Sequence, residues 1–217
     1  IDAGGRLAAP GAGRLGAVLA ASGGQAGPAS REGFGAVRAF VDQSFEQGNP
    51  LDGLLALLEH NLQTGPAPEA AITATARYRD LFNTDPQCRL YLSAVGQSPN
   101  PGRLDSALRT LASIDRSRLR KGYFIGAQVA AILLAQEKRE DAREVYLTVL
   151  ENNPVNAGVL KDLGSLYLNL RQTPEAWACW DAARRLYPEH VMLRQVADYE
   201  ATLEKAHPEF FAPGKRR

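Results

Sequence analysis

From Ser30 onward the apolar residues of this chain recur at three- and four-residue spacing, the period of helices that each bury one face. Phe34, Val37, Phe40, Val41 and Phe45 make the first such stripe, and Gly48-Asn49-Pro50 stops it. Pro50 opens a second helix carrying Leu51, Leu54, Leu55, Leu57 and Leu58 as far as Gly65-Pro66. A third is expected over 67–83, with Ala70, Ala74, Tyr78, Leu81 and Phe82. Asp85-Pro86 starts a helix over 86–97 and Asn100-Pro101 one over 102–115. In both, an Asx cap precedes a proline at the first helical position. Further helices are expected near 119–136, 139–152, 155–171, 174–187 and 189–206. No strand-like alternation competes with them, so the chain reads as an all-helical stack of antiparallel pairs. Residues 1–30 are mostly Gly, Ala, Pro and Ser and read as a linker or tail. Within them Leu15–Ala21, after Arg14, resembles a signal-peptide core but is too short and glycine-broken. If this stretch is ordered, it must lean on the helical body.

One stretch, 157–190, organises the rest. It carries Leu160, Leu163-Gly164, Tyr167, Ala176, Trp180, Ala183 and Pro188. Gly164 and Ala176 are small where two helices would cross closely. Leu160, Leu163 and Tyr167 share one face of the first helix, and Trp180 and Ala183 share one face of the second. Thr173-Pro174-Glu175 reads as the start of that second helix: a hydroxyl cap, a proline and a first-turn acid. Thirty-four residues earlier, Ala142, Tyr146 and Pro154 stand at the places of Ala176, Trp180 and Pro188. Earlier still, Ala74, Tyr78, Leu81 and Pro86 fall in register. The segment 89–122 keeps Gly96 but has Ala107 and Leu111 one place early.

This order and spacing resemble the tetratricopeptide repeat, a 34-residue helix–turn–helix with the pattern W-x2-L-G-x2-Y…A-x3-F…P. Leu160 stands for its Trp and Trp180 for its Phe, both keeping a large apolar group. The resemblance is specific over 123–190, moderate over 55–122 and absent before that. It implies a right-handed α-solenoid of helix-turn-helix pairs: degenerate pairs over 31–122, two well-formed repeats over 123–190, a capping helix over 191–206 and a basic tail over 207–217. It also implies a concave groove lined by positions 2, 5, 9 and 12 of each repeat. Those positions are Phe124, Ala127, Ala131 and Leu134, then Gly158, Lys161, Ser165 and Leu168, then Met192, Gln195, Tyr199 and Thr202. Family members that grip a peptide carboxylate use several cations there. This chain has Lys161, with Asn169 about two turns on and Ala127 where a second lysine would stand, so a hydrophobic or mixed peptide fits better. Residues 1–30 are long enough to reach the groove themselves.

Charge and cysteines narrow the classes. Lys plus Arg is 25 against 24 for Asp plus Glu in 217 residues, and no basic stripe runs along the groove positions, which argues against a nucleic-acid partner. Cys88 and Cys179 are far apart and form neither a disulfide framework nor a zinc motif. No apolar run reaches the ~20 residues of a membrane span. His60, His190 and His207 are scattered, and there is no phosphate loop, nucleophile elbow or HExxH. Neither catalytic residues, nor a metal, nor a cofactor is therefore expected. Tyr146 and Trp180 read as packing between repeats, and Trp177 as partly exposed.

The leading expectation is a non-catalytic scaffold that holds a protein or peptide partner in its groove, through Phe124, Ala127, Ala131, Lys161, Ser165, Leu168, Gln195 and Tyr199. Self-association through an exposed terminal helix is compatible with it. The alternative is the helical region of a larger enzyme, suggested by a chain that opens on Ile1 and by its glycine-rich start.

Overall fold

The computed structural model describes residues 12–24, 33–65, 78–206 and 208. Among them every regular element is helical. In chain order these are α1 (Ala12–Gly24), α2 (Phe34–Glu46), α3 (Pro50–Thr64), α4 (78–84), α5 (Pro86–Gln97), α6 (Leu104–Ala112), α7 (Ile125–Ala135), α8 (Arg139–Asn152), α9 (Ala157–Asn169), α10 (Thr173–Leu186) and α11 (Arg194–Ala206). Short 3₁₀ turns at Pro101–Arg103, Gly122–Phe124 and Val191–Leu193 lead into α6, α7 and α11. The first part of the helix expected over 67–83, with Ala70 and Ala74, lies outside the described residues.

The helix starts follow from local chemistry. The Asp85 carboxylate accepts from the Cys88 amide at 2.8 Å, and the Asn100 side chain accepts from the Gly102 amide at 3.0 Å, each just ahead of a proline. Thr173 behaves differently from the expectation. It is already the first residue of α10, behind Gln172, and no side-chain cap bond forms there. Gly48 ends α2 with φ +66°, a backbone shape that costs glycine little.

Sequential helices pack as hairpins: α2 with α3, α5 with α6, α7 with α8, and α9 with α10. In the last two the 34-residue offset is written into the backbone. Glu137 and Arg171 both adopt φ +60°. Lys138 N–H bonds Leu133 O and Gln172 N–H bonds Tyr167 O, both at 2.9 Å. Asn153 N–H bonds Val149 O and Tyr187 N–H bonds Ala183 O, both at 3.0 Å. Crossings are close where small residues stand. A Cβ on Gly164 would sit 2.5 Å from the Trp180 ring nitrogen, and one on Gly126 2.8 Å from a Val149 methyl. Ala142 and Ala176 are fully buried.

The N-terminal half departs from the register expected there. Tyr78 and Phe82 of α4 are buried and pack around Phe45 of α2, with centroids 5.5 and 5.2 Å apart. Leu81, expected on the packing face, is 49% exposed. A helix turns by about 100° per residue, so burying Tyr78 and Phe82, four apart, turns Leu81 outward. α3 pairs with α2 and also reaches α5 and α9. α1 packs on α8 and α10, more than 110 residues away in sequence. α11 closes the far end, tied to α10 by the Arg184–Glu200 ion pair and by Tyr199 against Trp180.

Candidate functional site

The first helices α7 and α9, with α11, carry the residues expected to line the groove, and the structure divides them in two. At the N-terminal ends, Phe124 is buried, and Gly158 is so close to α3 that a Cβ there would meet the Leu62 carbonyl oxygen at 2.2 Å. Farther along the same helices, Ala131 and Gln195 are exposed and Tyr199 is 38% exposed. Ala127, Leu134, Ser165, Leu168 and Met192 are partly covered, and Thr202 is exposed. The Ser165 hydroxyl donates back to Lys161 O at 3.1 Å. Lys161, expected to be the groove's cation, is held by its neighbour Asp162 at 3.3 Å. Burial pushes the Asp162 carboxyl up, and the adjacent Lys161 ammonium pulls it down. The Lys161 carbonyl accepts from the Trp180 indole at 3.2 Å, which fixes α10 against α9.

What covers the N-terminal ends is α3, and it does so through polar groups that repeat with the hairpins. Asp52, buried, accepts from the Arg120 and Lys121 amides at 3.1 and 2.6 Å. Glu59, 3% exposed, faces the Lys121 ammonium at 2.8 Å and accepts from Tyr123 Oη at 2.6 Å and Asn153 Nδ2 at 2.9 Å. Gln63 accepts from Asn153 at 3.1 Å and donates to Tyr187 Oη at 2.7 Å.

Asn156 and His190, one repeat apart, play the same double part. Asn156 Oδ1 caps the Val159 amide at 3.0 Å, and its Nδ2 reaches Glu59 O at 3.4 Å. His190 Nδ1 accepts from the Met192 amide at 3.2 Å, so its Nε2 carries the hydrogen that meets Leu62 O at 2.9 Å. Leu62 O is one of the last-turn carbonyls that a helix cannot satisfy from within. The sequence pattern leaves His190 as one of three scattered histidines. It is 2% exposed, and its offset of 34 from Asn156 was the available signal.

Beside this junction lies a cleft of about 440 Å³ between α2, α3 and the turns before α7 and α9. Val37, Phe40, His60, Arg120, Lys121 and Asn152 are among the residues that line it. The Arg120 guanidinium lies 4.8 Å over the Phe40 ring.

Ser22, Ser44, Asp52, Glu59, Gln63, Arg143, Asn156 and His190 are buried and each has a hydrogen-bond partner, whereas the buried Tyr167 hydroxyl has none. Burial pushes the Cys88 and Cys179 thiols far up, so neither is a ready nucleophile. Among the described residues no group of three or more His, Cys, Asp and Glu could hold a metal ion, and no helix is long and apolar enough to cross a membrane. Comparison of the chain with protein-family models, with curated proteins and with solved structures yields no match.

Proposed function

We propose that α7–α10 are two tetratricopeptide-like repeats in a right-handed α-solenoid closed by α11, and that the chain is a non-catalytic module holding a partner segment on the open part of its first-helix face. The observation that carries the reading is the 34-residue repeat of turn geometry, cap bonds and close crossings from Glu137 to His190. Stacked repeats of this kind present the side chains of their first helices along one continuous face. The seat consists of Ala131, Ser165, Leu168, Gln195 and Tyr199, since Phe124 is buried and Gly158 is covered by α3. It is small, apolar and mildly polar, with Lys161 neutralised by Asp162. It therefore suits an uncharged or mixed peptide rather than an acidic one.

A photo-crosslinking amino acid placed singly at Ala131, Ser165 or Gln195 is expected to trap the same protein from the source organism's lysate. The same group at Arg185, exposed on α10, is expected to trap none of it. Equal capture from all four positions, or different proteins at each, would overturn the proposal.

A further inference from the structure

The second-helix side of the same hairpins carries an occupied seat of different chemistry. α1 lies on α8 and α10. Its Leu15, Val18 and Ser22 are 4%, 2% and 2% exposed, at the i, i+3, i+7 spacing of one helical face. Arg14, next to that face, is held by three side chains of α8. Its Nε and Nη2 bond the two oxygens of Glu151, both at 2.7 Å, its Nη1 bonds Glu144 at 2.7 Å, and its Nη2 bonds Thr148 at 3.1 Å. Glu144, Thr148 and Glu151 stand at i, i+4 and i+7, so α8 presents an acceptor set shaped for one guanidinium. Thirty-four residues on, α10 has Ala178 and Ala182 at the places of Glu144 and Thr148. α8 thus supplies the charge recognition and α10 a flat seat for the helix.

α1 itself is a weak helix. It has 13 residues, and a Cβ at Gly13, Gly16 or Gly23 would meet nothing within 4 Å, so no close packing requires those glycines. Glycine lowers helix stability, and isolated helices of this length are marginal in water, so α1 is helical because it is docked.

We infer that the α8–α10 face is a helix-binding groove for a partner helix that presents one arginine followed by apolar residues at +1 and +4, and that α1 is its tethered occupant, displaced when such a partner binds. Charge complementarity names the partner's chemistry: one guanidinium against Glu144 and Glu151, then a Leu-x-x-Val face against the apolar seat. The groove is separate from the first-helix face assigned above, so it stands or falls independently of that reading.

The test uses the full chain and a fluorescein-labelled peptide of residues 12–24 as the partner probe, read by anisotropy. Arg14→Glu loosens the tethered helix and is expected to tighten peptide binding about tenfold over the unaltered chain, since the bound tether competes at high effective concentration. Glu151→Arg changes a side chain that is 41% exposed and spares Glu144, which also holds the buried Arg143, so the fold is expected to survive, as circular dichroism will check, while binding is lost. A peptide carrying Arg14→Glu is expected to recover binding to that reversed chain. Peptide affinity that is the same for the unaltered, Arg14→Glu and charge-reversed chains would overturn the inference. So would light scattering that shows the unaltered chain to be a dimer that Arg14→Glu dissolves, because the groove would then belong to a second copy.

Discussion

Gly158→Ala tests whether α3 is seated on α9 as described. The added methyl would lie 2.2 Å from the Leu62 carbonyl oxygen and 2.5 and 2.6 Å from Leu62 Cγ and Cδ1. Ordinary contact needs more than 3 Å, so the last turn of α3 must retreat by about 1 Å, in a core that resists such shifts. Forcing an extra methyl into a filled site costs about 1–3 kcal/mol. The same retreat stretches the 2.9 Å bond from His190 Nε2 to Leu62 O beyond useful length, at about 1 kcal/mol. Replacing glycine in a helix returns about 0.5–1 kcal/mol. The net is a loss of about 1–3 kcal/mol, equivalent to a Tm lower by about 3–9 °C at this chain length. Urea unfolding at neutral pH reads it, alongside Gly96→Ala, where a Cβ meets nothing within 4 Å and a gain of about 0.5 kcal/mol is expected. A Gly158→Ala chain as stable as its parent would mean that α3 does not lie where it is placed.

Four further outcomes are expected. Arg171→Gly relieves a side chain held at φ +60° and should raise stability by about 0.5–1 kcal/mol in thermal melts, with Glu137→Gly matching it because the two turns are equivalent. Lys121→Met leaves the buried Glu59 without its ammonium and should cost about 3 kcal/mol in the same urea assay. Glu151 is held below the usual carboxylate range by Arg14, and Glu144 by Arg143 and then Arg14. Their contribution to docking α1 is therefore full above about pH 5 and lost as the pH falls through the lowered values, which a nitroxide on Ala21→Cys will report as mobility rising once the pH drops below the usual carboxylate range. Cys88 and Cys179 should resist a thiol reagent in the native chain and react at once in urea.

Much of the helix pattern was legible because it rests on local chemistry. Pro50, Asp85-Pro86 and Asn100-Pro101 each open the helix they signal, and Ala142, Tyr146 and Pro154 betray the period that Glu137 and Arg171 repeat in φ. Leu81 and Phe82 were ambiguous because both are large, apolar and adjacent, and only the ring of Phe45 decides which turns inward. α3 was read as one more amphipathic helix. The burial of its polar residues Asp52, Glu59 and Gln63 depends on partners about 60 to 125 residues away. α1 was read as a linker for the same reason. Glycine and alanine dominate its composition, while the carboxylates that fix Arg14 lie about 130 residues downstream. Lys161 looked like a free cation because nothing in helical spacing marks a bond to its immediate neighbour.

The seating of α3 changes how this molecule should fold and yield. A row of hairpins normally behaves as a one-dimensional array in which each unit feels its neighbours alone and can fray from either end. Here one 15-residue helix is bonded to the turns ahead of α7, α9 and α11 at once, through Lys121, Asn156 and His190, like a splint across three joints. Fraying at α11 then strains contacts at α7, so the array melts as a single unit rather than repeat by repeat. The cost is kinetic. Contacts spanning about 60 to 130 residues must close before the splint holds, which raises the contact order and makes this chain a slower folder than a bare pair of hairpins.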